Sequence, residues 1–289
     1  MPLFGAHMSA AGGVTNALLT AARFGCATVQ LFTKNNNQWA GKPLADDEVK
    51  LFRRTLRETK LKYPTAHDSY LINLASPDEV LWRKSVEAFV DELDRAERLG
   101  LAYLVTHPGA HVGSGDEAGL ARVVTALDEA HRRTPQHRVQ VLLEVTAGQG
   151  SSLGHRFEHL AHIIDHVERP KRLGVCFDTC HAFAAGYSLS PRDDYERTMA
   201  EFDRLIGLKR LKLFHVNDSK KGFGSRVDRH EHLGRGCLGI EPFRFLVNDP
   251  RFVKTPMILE TPKHDDVGSE MDPVNLQVLR DLCSDREAG

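Results

Sequence analysis

The stretch Leu173-Gly174-Val175-Cys176-Phe177-Asp178 is a short apolar run that closes on a carboxylate. Runs of this length, bounded by polar residues, suit a strand buried on both faces. The construction recurs along the chain. Residues 139–143 run into Glu144 and residues 211–214 into His215. Further out, 102–106 run into His107, 65–66 into His67, 3–5 into His7 and 256–259 into Glu260. Only the run 27–32 breaks the rule, continuing Thr33-Lys34. The 15 histidines and 39 acidic residues are under a fifth of the 289 residues, so seven such endings in eight runs exceed what composition produces.

Between the runs lie amphipathic helical patterns, over 14–24, 46–60, 77–99, 118–133, 157–167, 193–206, 242–248 and 273–282. The clearest is 77–99, where Val80, Leu81, Val86, Phe89, Val90, Leu93, Ala96 and Leu99 form a stripe that Gly100 terminates. Strands alternating with helices imply a parallel sheet, and eight repeats imply closure into a (β/α)8 TIM barrel of the α/β class. No linker or low-complexity segment divides the chain, so a single domain over 1–289 is expected. Chemistry in such barrels sits at the C-terminal ends of the strands. The segments there, 33–43, 108–116, 146–154 and 216–239, are glycine-rich or charged and lack apolar periodicity.

A hydrophobic share of 41% supports a large core. The opening Met1-Pro2-Leu3-Phe4 does not resemble a signal peptide, and no apolar run reaches the roughly 18 residues of a membrane span. A soluble, cytoplasmic monomer without membrane association is expected. Five cysteines at irregular spacing, Cys26, Cys176, Cys180, Cys237 and Cys283, argue against a disulfide framework, and Cys176 and Cys180 read as packing thiols. A net charge of -1 does not by itself point to nucleic acid, which would require a local basic face or bound cations.

Six strand-end residues, His67, His107, Glu144, Asp178, His215 and Glu260, would converge on the barrel mouth. There they need partners. Asp178-Thr179-Cys180-His181 adds His181, and Val227-Asp228-Arg229-His230 adds Asp228 and His230, although a solvated loop reads the latter equally well. His107 and His111 are four apart, but Pro108-Gly109 between them argues against a helical pair and leaves His111 in the loop. Nine candidates are too many for one four-coordinate ion, so two or three ions sharing a carboxylate are expected. Imidazole and carboxylate without thiolate suit zinc or manganese. Neighbouring ions of this kind hold the attacking and leaving oxygens of a phosphoester.

The chain resembles the endonuclease IV family of apurinic/apyrimidinic endonucleases. The resemblance rests on Gly5-Ala6-His7-Met8-Ser9-Ala10-Ala11-Gly12-Gly13, His67-Asp68-Ser69-Tyr70-Leu71-Ile72-Asn73-Leu74 and His107-Pro108-Gly109. It continues through Thr146-Ala147-Gly148-Gln149-Gly150, then Gly174-Val175-Cys176-Phe177-Asp178-Thr179-Cys180-His181-Ala182-Phe183-Ala184-Ala185-Gly186-Tyr187. His215-Val216-Asn217-Asp218-Ser219-Lys220, Gly224-Ser225-Arg226-Val227-Asp228-Arg229-His230 and Leu259-Glu260-Thr261 complete it.

The resemblance implies three zinc ions per chain, with manganese an alternative at one or more sites. His67 and His107 would hold one ion, Asp178, His215 and Glu260 a second, with Glu144 bridging the two; His181, Asp228 and His230 would hold the third. His7 matches a family position without an assigned ion. Glu144 and Glu260 are implied to be catalytic. The implied reaction cleaves the phosphodiester 5′ to an abasic site in double-stranded DNA, leaving a 3′-hydroxyl and a 5′-deoxyribose phosphate, with repair of blocked 3′ ends as a related activity. Gln38, Tyr70, Leu71 and Arg229 are the expected DNA contacts, Tyr70 and Leu71 as wedges filling the gap left by a flipped nucleotide. Two departures stand out. Asn37 occupies a position where the family commonly has arginine, and Val145 one where it often has asparagine.

The basic residues Lys209, Arg210, Lys212, Lys220, Lys221, Arg226, Arg229 and Arg235 could supply phosphate contacts, and Lys34 with its asparagine loop is expected to face DNA. Two other classes compete. A xylose-isomerase-like sugar isomerase also carries His, Asp and Glu on a barrel rim, but the Asp228–His230 loop argues against it. A damage-binding protein would hold abasic DNA without cutting it.

Overall fold

The computed structural model describes residues 2–284; Met1 and residues 285–289 of the expected domain lie outside them. Its strands and helices alternate as the apolar pattern requires. The barrel strands are β1 (Leu3–His7), β2 (Thr28–Phe32), β3 (Thr65–His67), β4 (Tyr103–Thr106), β5 (Gln140–Glu144), β6 (Leu173–Asp178) and β7 (Leu211–His215). A two-stranded pair, β8 (Asp218–Ser219) and β9 (His230–Glu231), precedes the eighth barrel strand, β10 (Pro256–Leu259). Parallel pairing closes the barrel in the order β1-β10-β7-β6-β5-β4-β3-β2.

The helices are α1 (Val14–Arg23), α2 (Asp46–Thr59), α3 (Glu79–Leu99), α4 (Asp116–Arg133), α5 (Phe157–His166), α6 (Thr179–Ala185), α7 (Arg192–Leu205), α8 (Glu241–Val247) and α9 (Asp272–Ser284). All but α6 match helical patterns in the sequence. Among the described residues, no helix is long and apolar enough to cross a membrane.

Alternation along each strand sorts side chains between two layers. Phe4, Val29, Leu31, Leu104, Val141, Val175 and Phe177 face the helices and join the main core, each buried side chain contributing about 1.5–3 kcal/mol. The opposite parity fills the barrel. Val105, Leu142, Cys176, Leu213 and Ile258 form a separate buried cluster. Each stands two positions before a polar strand end: His107, Glu144, Asp178, His215 and Glu260 respectively. An apolar floor therefore lies directly under the polar mouth, and Cys176 belongs to that floor.

Helix α3 departs from the expected stripe. Asp78 caps it, its side chain accepting from Leu81 N at 2.7 Å, and Gly100 ends it with φ 78. This phase leaves Val80 78% exposed. In its place Trp82 is buried, and so are Glu92 and Arg95. The charges are accommodated because Lys34, just past β2, meets Glu92 at 2.6 Å, while Arg95 donates to Thr33 Oγ1 at 3.0 Å. Lys34 thus points into the interior, contrary to the expectation that it faces DNA. Lys209, Arg210 and Lys212 are also displaced from the expected rim. They precede or begin β7, whose start pairs with β6 at Val175↔Leu211, at the end of the barrel opposite His215.

Candidate metal centre

Glu144 ends β5 fully buried at the middle of the mouth. Its Oε2 lies 3.1 Å from His67 Nε2 and 3.3 Å from His107 Nε2. Its Oε1 lies 3.0 Å from His215 Nδ1 and 3.1 Å from His181 Nδ1. One carboxylate thus turns an oxygen toward each of two groups of imidazoles. His215 Nδ1 also faces Glu260 Oε2 at 3.2 Å and Asp178 Oδ2 at 3.9 Å. On the far side, His181 Nε2 meets Asp228 Oδ2 at 3.1 Å and His230 Nε2 at 3.4 Å, and His230 Nε2 meets Asp228 Oδ1 at 3.4 Å. All nine side chains singled out as metal ligands are brought together in adjoining groups: Glu144 with His67 and His107, Glu144 with Asp178, His215 and Glu260, and Asp178, His181, Asp228 and His230 beyond them.

Local structure explains the placement. Gly109, with φ 109, turns the chain after His107, and a Cβ there would meet Asn73 Oδ1 at 2.4 Å. His107 consequently enters the mouth. His111 stays in the loop, its Nδ1 accepting from Gly113 N and Gly115 N at 3.2 and 3.0 Å. Asp178 is the N-cap of α6, its Oδ1 accepting from His181 N at 2.8 Å. That turn carries His181 back over the mouth. The segment 216–239 is not the structureless loop its composition suggests. β8 pairs with β9 in antiparallel register, Ser219↔His230, which returns Asp228 and His230 to the rim. Asp218 anchors the return by accepting from Gly236 N and Leu238 N at 3.0 and 2.9 Å.

Three imidazoles are fixed by backbone carbonyls. His67 Nδ1 lies 3.0 Å from Asp68 O, His181 Nδ1 3.0 Å from Val145 O and His230 Nδ1 3.1 Å from Glu260 O. A carbonyl only accepts, so these Nδ1 atoms carry protons, and in the neutral imidazole Nε2 is the bare nitrogen turned toward the carboxylates. Val145 supplies a backbone oxygen here, so its departure from asparagine does not remove the support of His181. Such alignment of bare nitrogens and carboxylate oxygens suits a divalent cation. Two thiols border it, Cys176 near Glu144 and His215 and Cys180 near Asp228 and His230. Cys180 Sγ turns toward Arg229 O at 3.7 Å, and burial pushes its pKa up to about 12. Burial likewise raises the Cys176 thiol well above its ordinary value, although Cys176 lies near Glu144 and His215.

The charges respond to one another. Burial would raise the carboxyl of Glu144, yet His215, His107 and His181 hold it well below the ordinary range. Burial works against Glu260 and Asp228 too, and neighbouring imidazoles, His215 and His181 foremost, hold both low. In return the carboxylates hold His67, His181 and His215 above the ordinary imidazole value, despite burial.

Three supporting residues escaped sequence reasoning. Gln30, inside the exceptional β2, donates to Glu260 Oε1 at 2.5 Å and faces His215 Nε2 at 2.8 Å. Asn217 donates to Asp178 Oδ2 at 2.7 Å and accepts from Glu260 N at 2.8 Å. Asp68 accepts from Thr106 Oγ1 at 2.6 Å and lies 3.4 Å from His67 Nδ1. The one available signal was Gln30 as an amide within an apolar run.

Of the expected DNA contacts, Tyr70 stands beside the cluster, its ring 6.0 Å from that of His67. Tyr70 is 64% exposed, its ring edge-on to Phe32 at 5.5 Å, and Leu71 beside it is half-buried. Ser69 Oγ donates to Asn36 O at 2.6 Å, fastening this loop to the one carrying Asn37 and Gln38, both exposed. A cavity of about 650 Å³ is lined in part by Gln38, Asn36, Lys34 and Phe32, and by none of the nine residues. Arg229 is exposed next to Asp228.

A family profile described as "Xylose isomerase-like TIM barrel" matches residues 18–282. The chain is 51% identical over 287 residues to "Probable endonuclease 4" of Chloroflexus aurantiacus, covering 99% of this chain and 100% of that one. It is similar in structure to endonuclease IV from Thermus thermophilus, with a TM-score of 0.87, 37% identity and coverage of 98% and 100% of the two chains. A D-tagatose 3-epimerase-like protein shares the fold at a TM-score of 0.74, with 18% identity and coverage of 99% and 100%. The barrel with its histidine- and acid-lined mouth is that of a nuclease, and the chain belongs to the endonuclease IV family.

Proposed function

We propose that this chain is a cytoplasmic, monomeric base-excision-repair enzyme that hydrolyses the phosphodiester 5′ to an abasic site in double-stranded DNA, leaving a 3′-hydroxyl and a 5′-deoxyribose phosphate. Removal of blocking groups from 3′ ends is a second activity of the same centre. The observation that carries the reading is the convergence of Glu144 on His67, His107, His181 and His215 within 3.3 Å.

Three zinc ions per chain, or manganese at one or more sites, would be held by His67, His107 and Glu144; by Glu144, Asp178, His215 and Glu260; and by His181, Asp228 and His230. When bound, they supply Lewis-acid activation of water and neutralise charge developing on the phosphate oxygens. The chain itself does the rest. Glu144 sits where it can bridge two positions, and Glu260 closes the second from the opposite wall. Asp228 and His230 reach over the rim on β8–β9, where a scissile phosphate would lie. Tyr70 and Leu71 stand where a wedge would enter a duplex beside the centre, and extrusion of an unpaired abasic nucleotide requires less unstacking than that of a paired base. Gln38 and Arg229, both exposed, would make flanking contacts. The phosphate-contacting rim is Lys220, Lys221, Arg226, Arg229 and Arg235, rather than the longer basic run.

Incision of a duplex carrying one abasic site tests the reading. Cutting on the 5′ side is expected, lost with a chelator and restored by zinc or manganese. Metal-replete protein that binds this duplex without incising it would overturn the proposal in favour of a damage-binding role. Turnover of a free ketose instead would favour a sugar isomerase.

A further inference from the structure

Gln30 is the third residue of β2 and fully buried. Its Nε2 lies 2.5 Å from Glu260 Oε1 and 2.9 Å from His7 Nδ1, and its Oε1 lies 2.8 Å from His215 Nε2. The orientation of this amide is forced. An ionised carboxylate only accepts hydrogen bonds, so the atom against Glu260 is the NH2. The amide oxygen then faces His215, and because it too only accepts, His215 Nε2 carries the proton. A neutral imidazole has one N–H, so Nδ1 is left bare. Nδ1 is the atom that faces Glu144 Oε1 at 3.0 Å and Glu260 Oε2 at 3.2 Å. The second amide hydrogen goes to His7 Nδ1, which commits that nitrogen of His7 to Gln30 and explains a histidine at the mouth outside the ligand groups.

His215 is the reverse of its neighbours. His67, His181 and His230 are each fixed through Nδ1 by a backbone carbonyl and present Nε2. His215 is fixed through Nε2 by a side chain and presents Nδ1. Its tautomer is therefore set by a residue that can be replaced.

We propose that Gln30 is a positioning residue of the mouth: its single amide sets the tautomer of His215 and pins one oxygen of Glu260, leaving His215 Nδ1 and Glu260 Oε2 directed at a shared cation. This rests on the reading of the mouth as a metal centre. Two substitutions separate its functions. Gln30→Met keeps the length and removes every polar contact. Gln30→Glu keeps an acceptor for His215 and removes both donors.

Histidine-selective 15N NMR of the metal-free protein, at alkaline pH where the imidazoles are neutral, reads the tautomer directly, with His215→Gln assigning the resonance. His215 is expected as the Nε2–H form in the parent and in Gln30→Glu, and as a mixture with Nδ1–H in Gln30→Met. Zinc competition titrations are expected to show one site weakened about tenfold or more in both variants. For abasic-duplex incision, kcat falls while KM stays within about twofold, because buried Gln30 is out of reach of the duplex. A folded Gln30→Met protein that retains the Nε2–H tautomer and parental zinc affinity overturns the proposal. Should that variant not fold, unchanged zinc affinity in Gln30→Glu does the same. The NMR measurement involves neither metal nor DNA, so its outcome stands apart from whether the chain incises abasic sites.

Discussion

Two groups of buried charge flank β2, and they are neutralised by different means. Beyond its C-terminal end, Lys34 meets Glu92 at 2.6 Å and Asp91 at 3.4 Å, while Arg95 donates to Thr33 O at 2.5 Å and Lys42 O at 2.8 Å. These cations are permanent. At the mouth, Glu144, Asp178, Asp228 and Glu260 face imidazoles, whose charge depends on a proton. The consequence shows in the acids. Burial raises the Glu92 carboxyl against the pull of Lys34, whereas Glu144 and Glu260 are held low by clusters of histidines. A buried set complete in its own fixed charges is structural. One balanced by exchangeable protons can trade them for metal, because binding releases protons from its ligands.

The sharpest way to break this contrast is Glu144→Ala. It removes the oxygens between both groups of imidazoles. Incision is expected to fall by about three orders of magnitude, toward the upper range for removing an electrostatic stabiliser, with metal content lowered. Full activity would show that Glu144 bridges nothing. The counterpart is Glu92→Leu, which removes the nearer and more buried partner of Lys34 and leaves it only the half-exposed Asp91 at 3.4 Å. A loss of about 3–5 kcal/mol in denaturant unfolding is expected, with metal content per folded chain unchanged. Adding Lys34→Met should recover much of that loss. Metal loss in Glu92→Leu would mean the two groups are coupled.

Tyr70→Ala probes the rim between them. It is expected to weaken binding to an abasic duplex by about 1–3 kcal/mol, the range for one aromatic stacking contact, at unchanged zinc content. Loss of zinc would give Tyr70 a structural role through its packing on Phe32. The mildest expected effect is a drift with pH. In the metal-free fold, His67, His181 and His215 titrate above their ordinary value. Their stabilisation is full below about pH 6.5 and is lost as pH rises through the raised values. Glu144, Glu260 and Asp228 titrate below theirs, so their contribution is full above about pH 4.5 and is lost as pH falls through the depressed values. Metal-free protein should therefore lose stability from about pH 6.5 upward, while loaded protein resists because protons compete less. Melting curves with and without chelator should diverge with rising pH; parallel curves would break the contrast.

Much of this was legible in the chain because it is local. A strand announces itself in a handful of residues, and its terminal residue necessarily lands at the mouth. His67, His107, Glu144, Asp178, His215 and Glu260 were therefore visible as strand ends. Asp228 and His230 were visible as candidates, and the family resemblance grouped them with His181. What escaped depends on partners far along the chain. Lys34 meets Glu92 across 58 residues, and Gln30 meets Glu260 across 230. Helix α6 spans only 7 residues, too few for a periodic stripe, and it is set by the Asp178 cap and Gly186. The β8–β9 pair joins two residues to two, and no alternation can develop over that length. Basic residues near β7 were misplaced for the opposite reason. Proximity in sequence to His215 spans the full height of the barrel.

The double duty of Asp178 has a consequence for denticity. Its Oδ1 is committed to the first turn of α6 and its Oδ2 already accepts from Asn217. Oδ2 is the oxygen turned toward His215 Nδ1 and His230 Nε2, at 3.9 and 3.6 Å, so Asp178 would meet a cation there chiefly through Oδ2. Glu144, whose two oxygens face different imidazoles, can serve two ions at once. The helix cap thus decides which oxygen of Asp178 faces the rim, and replacing α6 with a segment that does not call on Oδ1 would remove that preference.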